Sequence, residues 1–303
     1  MNNIKTINFM RLRKASYVLA AILMIGSIAS LAVKQLNFGL DFTGGALVEL
    51  NYSEPADLDA VRTTLREGGW DDAIVQNFGA STDVIIRLSS DDSELGNEIA
   101  RVVKQQDGSE VSVKRVEFIG PQVGEELRDQ GGLGMLLAMA GILVYVGLRF
   151  QLKFAVGALA ALLHDVIFVL GFFSLLGLPF DLTVLAAVLA VIGYSLNDTI
   201  VVFDRVRENL RVMRNADLEH VINVSTTQTL ARTLATSVTT LLVLSALYWF
   251  GGESIRGFAL ALIVGIVVGT YSSIYVSNGL LINLKLTRED LIPTQLEEVD
   301  DRP

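Results

Sequence analysis

The chain has no cysteine and only two histidines among its 303 residues. Without cysteine, disulfides, thiolate nucleophiles and cysteine metal sites are excluded, and any extracytoplasmic domain has to fold without covalent staples. Two histidines are too few for a histidine-based metal cluster. A Ser-His-Asp triad would need His164 or His220, and His220, read as part of a cytoplasmic loop, has no acid pattern near it beyond Glu219. Gly39, Gly44 and Gly45 lack the lysine and helix spacing of a phosphate loop, so they read as a turn joining a span to a strand. The expectation is therefore a protein that is no enzyme, with no cofactor, metal or nucleic-acid partner.

Apolar residues are what the chain has in excess. Hydrophobic residues make up 51% and mean hydropathy is +0.48, too apolar for a soluble fold that must cover itself with polar surface. A spanning helix needs about 20 mostly apolar residues. Six stretches qualify: Tyr17 to Val33, Leu133 to Leu148, Phe154 to Leu178, Leu182 to Phe203, Thr233 to Phe250, and Phe258 to Leu284. The first follows Lys5, Arg11, Arg13 and Lys14, and Ser30-Leu31-Ala32 resembles a cleavage site, so a secretory signal competes with an uncleaved signal-anchor. Five further spans make the signal-anchor more economical. Membrane lipid is the implied surrounding.

The net charge of −9 is unevenly divided. Between Asn37 and Gly131 there are 8 Lys and Arg against 19 Asp and Glu, a net of −11, and the rest of the chain carries +2. Basic residues gather before the first span, at Arg149 and Lys153, at Arg205, Arg207, Arg211 and Arg214, and at Lys285 and Arg288. By the positive-inside rule both termini are cytoplasmic and the acidic domain is outside. The expected organisation is a cytoplasmic N-terminus over 1–16, a span over 17–36, a domain over 37–131, five spans over 132–285 with a cytoplasmic loop at about 204–227, and a cytoplasmic tail over 286–303.

In the acidic domain, Gly45 to Ser53 alternates as a strand, and Pro55 to Glu67 sets Leu58, Val61 and Leu65 on one helical face before Gly68-Gly69. Ala73 to Phe78 and Asp83 to Leu88 read as strands, Ser93 to Gln106 as a helix, and Glu110 to Phe118 as a strand. The order β-α-β-β-α-β is the ferredoxin-like α+β pattern, with one sheet face left free to meet a partner. That fold leaves function open.

Ionisable residues inside the spans carry the functional signal, because a charge there costs about 2.5–3.5 kcal/mol on insertion scales. Asp198 is the strongest case, about 9 Å inside a boundary near Asp204 at 1.5 Å per residue, with Asn197 beside it. Arg232 is its expected partner if the fifth helix starts near Gln228. Thr229, Thr233, Thr236 and Thr240 stack four hydroxyls along one face. Two readings stand: hydroxyls and water relaying protons, or hydroxyls bonding their own helix carbonyls beside a static Asp198–Arg232 ion pair. His164 and Asp165 lie near the middle of the third span, where Asp165 is either protonated or paired. As helix neighbours about 100° apart, they are expected not to share one site.

Gly257, Ala261, Gly265, Gly269 and Ser273 recur every four residues on the last helix, a packing stripe for a helix of this chain or of another subunit. Asp204 to His220 carries Val206, Leu210 and Met213 at helical spacing, consistent with an interfacial amphipathic helix.

Several of these segments are also familiar. Phe38-Gly39-Leu40-Asp41-Phe42-Thr43-Gly44-Gly45 resembles the signature of the SecD/SecF family. Gly193-Tyr194-Ser195-Leu196-Asn197-Asp198-Thr199-Ile200-Val201-Val202-Phe203-Asp204-Arg205 looks like the fourth-span motif of its SecF branch. Leu230-Ala231-Arg232-Thr233-Leu234-Ala235-Thr236-Ser237 and Ser272-Ser273-Ile274-Tyr275 are similar to its fifth- and sixth-span motifs. The resemblance covers nearly the whole chain. It implies an RND-type half bundle in the bacterial inner membrane, in complex with SecD beside the SecY, SecE and SecG channel. It implies use of the proton-motive force to promote periplasmic-side steps in the translocation of unfolded polypeptide. It further implies Asp198 as the proton-coupling acid, with Arg232 and Thr236 as polar partners, and Gly39, Asp41, Gly44 and Gly45 as the motif after the first span. The rivals are half of a small-molecule exporter of the same superfamily and a structural assembly factor.

Overall fold

A computed structural model describes residues 6–90, 92–106 and 111–291. Lys5, Glu110 and most of the tail over 286–303 lie outside the described residues. Helix α1 (Arg13–Val33) follows a 3-10 turn, Phe9–Leu12. Then come β1 (Asn37–Phe38), α2 (Leu40–Thr43), β2 (Gly45–Tyr52), α3 (Leu58–Glu67), β3 (Ile74–Phe78), β4 (Ala80–Leu88), α4 (Leu95–Gln106) and β5 (Val111–Ile119). The rest is α5 (Pro121–Arg149), α6 (Leu152–Leu176), β6 (Pro179–Phe180), α7 (Leu182–Val212), α8 (Leu218–Phe250) and α9 (Glu253–Asn283). Six helices are long and apolar enough to cross a membrane: α5 to α9, and α1 together with its leading turn.

The domain after α1 has the expected order, β2-α3-β3-β4-α4-β5. Its antiparallel sheet runs β3-β4-β2-β5, the ferredoxin-like topology. Alternation along the strands decides the two faces. Val48 and Leu50 of β2, with Val84 and Ile86 of β4, enter a core with Val61 and Leu65 of α3 and Ile99 and Val103 of α4. Each such side chain is worth about 1.5–3 kcal/mol when fully buried. Helix α3 starts where Asp57 accepts from the amides of Asp59 and Ala60, at 3.0 and 3.2 Å, and stops at Gly68 and Gly69, the latter at φ +88°. The opposite sheet face carries Leu47 and Ile85, buried with Leu40, and it turns toward the bundle.

In the bundle, α6, α7 and α9 form the centre, with 50%, 56% and 44% of their most apolar segments buried, whereas α8 and α5 have 17% and 6% and lie at the rim. The small-residue stripe on α9 is used within the chain. Side chains of α7 fill the space over it: a Cβ at Gly257 would meet Val184 at 3.0 Å, one at Gly265 would meet Val191 at 2.1 Å, and one at Gly269 would meet Ser195 at 3.1 Å. Absent side chains let the two backbones close up.

Three boundaries differ from the sequence reading. Helix α5 begins at Pro121, inside the stretch assigned to the domain, because proline is suited to a first helical position. Helix α7 runs on to Val212 and α8 begins at Leu218, so Asp204 to His220 holds no separate interfacial helix. Val206 and Leu210 are buried with Phe203, Val221 and Ile222, so their spacing continues the apolar stripe of α7 onto α8. His220 stands in the first turn of α8, not in a loop.

Candidate functional site

Helix α7 brings two polar centres into the bundle. The first is Asp165 of α6, fully buried. Its Oδ2 accepts from Ser195 Oγ of α7 at 2.5 Å and from Ser272 Oγ of α9 at 2.7 Å. Its Oδ1 lies 3.0 Å from Nδ1 of His164. His164 and Asp165 therefore share one site, against the expectation from their angular separation. The helix angle fixes only where Cβ points, and an imidazole is wide enough to reach its neighbour's carboxylate. Gly269 makes room for this net, since a Cβ there would lie 3.3 Å from Ser195 Oγ and 3.5 Å from Asp165 Oδ2.

The second centre is Asp198, one helical turn beyond Ser195 on the same side of α7. It is 3% exposed, and its Oδ2 is buried without a hydrogen-bond partner among the described residues. Buried polar atoms in native folds are nearly always paired, so each exception calls for a reason. Among the described residues no cation lies within 4.0 Å of Asp198. Arg232 acts on it only through space, so the expected Asp198–Arg232 contact is not made. The inward stripe of α8 is Thr226, Thr229, Thr233 and Ser237, all buried; Arg232 lies about 100° round from Thr233 and is exposed. Asn197 is exposed as well.

The threonines of the inward and expected stripes divide into two groups, while Ser237 Oγ reaches across to Thr270 Oγ1 of α9 at 3.0 Å. Thr229 donates to the carbonyls of Ser225 and Thr226, Thr236 to those of Arg232 and Thr233, and Thr240 to that of Thr236. These three bond their own helix. Thr233 Oγ1 and Thr226 Oγ1 are buried without hydrogen-bond partners among the described residues. Ser195 and Ser272 were missed in the sequence; the i, i+3 spacing of Ser195 to Asp198 was the available signal.

The segment Phe38 to Gly45 lies at the junction of domain and bundle. Strand β1 pairs in parallel with β6, Asn37 opposite Pro179 and Phe38 opposite Phe180. Asp41 Oδ2 accepts from the amide of Leu182 at 2.9 Å, at the first residue of α7. The adjacent Asp181 caps the same helix, accepting from Val184 N at 2.8 Å. Gly44 and Gly45 adopt φ +65° and +111°. A Cβ on Gly44 would meet Pro121 Cα at 2.5 Å, and one on Gly45 would meet Leu88 O at 2.3 Å. Only glycine fits both the conformation and the space.

Beside this junction a cleft of about 670 Å³ separates the open sheet face from the ends of the spans; Leu47, Ile85 and Arg87 line one side, Phe173, Asp181 and Leu260 the other. Burial lowers the Arg87 guanidinium below its ordinary value, and the charge of Asp181 opposes the shift.

Fold and site together define a multi-pass α-helical membrane protein with a ferredoxin-like domain mounted on six helices and an unpaired buried acid in the fourth. The family model described as "Protein export membrane protein SecD/SecF, C-terminal" matches residues 98–287, and that of the "SecD/SecF GG Motif" matches residues 29–56. The chain belongs to the SecD/SecF family, in its SecF branch. It is 59% identical over 305 residues to the protein translocase subunit SecF of Pseudomonas aeruginosa, covering 99% of this chain and 100% of that one. The SecF of Escherichia coli O157:H7 is 42% identical, with 99% and 94% covered. A crystal structure of SecDF from Thermus, described as a translocon-associated membrane protein, superimposes with a TM-score of 0.86 at 37% identity over 92% of this chain. The chain spans 39% of that longer SecDF polypeptide.

Proposed function

We propose that the chain serves the Sec protein-export machinery as a SecF subunit, acting with SecD beside the SecY, SecE and SecG channel. In this reading it draws on the proton-motive force to promote late steps of polypeptide translocation, with both termini cytoplasmic and the domain over 37–131 periplasmic. The family assignment and the full-length likeness to proteins named translocase subunits support the export role. The orientation rests on the basic residues at the end of the bundle away from the domain, where Arg149 meets Asp204 at 3.2 Å and Lys153 meets Asp290 at 2.7 Å.

The observation that carries proton coupling is the unpartnered Oδ2 of Asp198, buried on a helix that also reaches the domain. A proton arriving there removes a charge that the bundle holds without a contacting cation, and changes how strongly Arg232 is drawn toward α7. Each elementary charge crossing the membrane carries about 2.3 kcal/mol per 100 mV. That shifts a two-state equilibrium roughly 50-fold. Thr236 is exposed and bonded to its own helix, off the inward stripe, and would take part only if α8 turned it toward α7.

The test is complementation of a SecF-depleted strain with Asp198→Asn, following secretion of a reporter while membrane level and SecD co-purification are checked. Loss of export with an intact complex supports the reading. Normal proton-dependent export rejects it and leaves Asp198 as helix glue.

A further inference from the structure

Three observations connect the Phe38 to Gly45 motif to both α7 and the ferredoxin-like domain. First, Asp41 is the side chain of this loop that takes an amide from α7, at 2.9 Å on Leu182. About 24 Å along the same helix, at 1.5 Å per residue, stands Asp198. Second, the loop is fixed on the domain side too. Gly45 opens β2, the strand paired on both edges by β4 and β5, and the Gly44 backbone is wedged against the start of α5, where a Cβ on Gly124 would lie 2.6 Å from Gly44 N. Third, the domain has room to tilt, because the cleft of about 670 Å³ opens beside this joint. Its far side is bridged by an exposed hydrogen bond, Arg115 Nη1 to Ser254 Oγ at 3.1 Å.

We infer that Asp41 is a positioning residue that locks the domain to the end of α7, so that a displacement of α7 driven at Asp198 tilts the ferredoxin-like domain about the Asp41–Leu182 joint. This rests on the proton-coupling reading above. A carboxylate at a helix N-terminus is held by both the exposed amide and the helix dipole, so the joint is firm without being covalent. The parallel pairing of β1 with β6 and the amide of Gly39, which donates to Phe180 O at 2.8 Å, set the direction in which it transmits.

The absence of cysteine makes the test clean. Nitroxide labels at Ser81→Cys on the domain and Leu152→Cys on α6, both exposed, report domain tilt by pulsed electron spin resonance in the complex with a cysteine-free SecD. The distance distribution is compared with and without Asp198→Asn, which fixes the acid in a neutral form. With Asp41 in place the distribution shifts between the two. Asp41→Ala abolishes the shift and lowers reporter export roughly tenfold, the size of an ordinary coupling free energy. Asp41→Asn, whose amide oxygen still accepts from Leu182, retains the shift. Leu182→Pro removes the donor from the other side at a position where proline is tolerated, and decides the matter if Asp41→Ala fails to accumulate. A shift that survives both Asp41→Ala and Leu182→Pro overturns the joint alone. No shift even with Asp41 intact overturns proton coupling, and the joint with it.

Discussion

Ser195 of α7 donates to Asp165 of α6 at 2.5 Å while standing one turn from Asp198. The two acids are therefore bound into the same stretch of one helix but in opposite conditions. Asp165 is saturated by Ser195, Ser272 and His164, and Asp198 keeps an oxygen without a partner. Asp165 thus ties α6, α7 and α9 together, while Asp198 keeps unmet hydrogen-bonding capacity.

Asp165→Ala strands the hydroxyl of Ser195, while Ser272 keeps its second acceptor, the carbonyl of Gly269 at 3.1 Å. Leaving a buried donor unmet costs about 1–3 kcal/mol. The expected outcome is a lower thermal midpoint for the purified chain in detergent. Ser272→Ala is expected to fall less than Asp165→Ala; equal losses would show that the net is not organised around the carboxylate.

Glycines on α9 and α7 make a matched comparison. A Cβ at Gly265 would sit 2.1 Å from Val191, whereas Gly193 has nothing within 4 Å. Gly265→Ala overpacks the centre of the bundle and should cost about 1–3 kcal/mol. Gly193→Ala should be neutral or stabilise by up to about 1 kcal/mol through helix propensity. Denaturation of both variants side by side checks the pair.

Much of this arrangement was legible in the sequence because it depends on periodicity. The alternation of Gly45 to Ser53 and the spacing of Leu58, Val61 and Leu65 gave the domain its order, and six apolar runs gave the spans. Asp198 stood out because a charge in an apolar run is costly. The His164–Asp165 contact did not follow, because helix angle describes Cβ direction and not the reach of a ring. Nor did the separation of Arg232 from Asp198: equal depth brings two residues to one level, but rotation about α8 decides whether they meet. Asp41 entered only as a member of the motif after the first span, since its partner, the amide of Leu182, carries no side-chain signature and lies 141 residues away.

Asp290 clasps the chain after α9 to the end of α6. Burial alone would raise its carboxyl, but hydrogen bonds from Lys153 Nζ and from the amide and hydroxyl of Thr287 outweigh that and hold it below the ordinary carboxylate value. A depressed folded value means stability that is present above the unfolded value of about 3.9 and lost as pH falls through the folded value. Proteolysis after α9 should therefore increase at acid pH, and Asp290→Asn should show the same sensitivity already at neutral pH. An Asp290→Asn chain as resistant as the parent at neutral pH would exclude the clasp.

Gly45→Ala combines a φ of +111° with a carbonyl 2.3 Å from the new Cβ. Left-handed strain alone is of order 1–3 kcal/mol, and the clash adds to it. Limited proteolysis of the full chain should cut β2 and β4 readily in this variant. Gly69→Ala, with φ +88° and open space around it, tests strain without the clash and should be milder.

The pairing of β1 with β6 also sets a timetable for biosynthesis. The ferredoxin-like unit is built from one contiguous stretch, and every strand it needs has been made once Ile119 is added. Its mounting waits longer: Asn37 bonds the carbonyl of Gly177, 140 residues further on. Counted from Ile119, Gly177 comes 58 residues later, and at about 5–20 residues per second of synthesis that is a delay of roughly 3 to 12 s. During that interval the finished head hangs from α1 and α5 alone, and it is seated only when α6 has been threaded and the first turn of α7 emerges to receive Asp41.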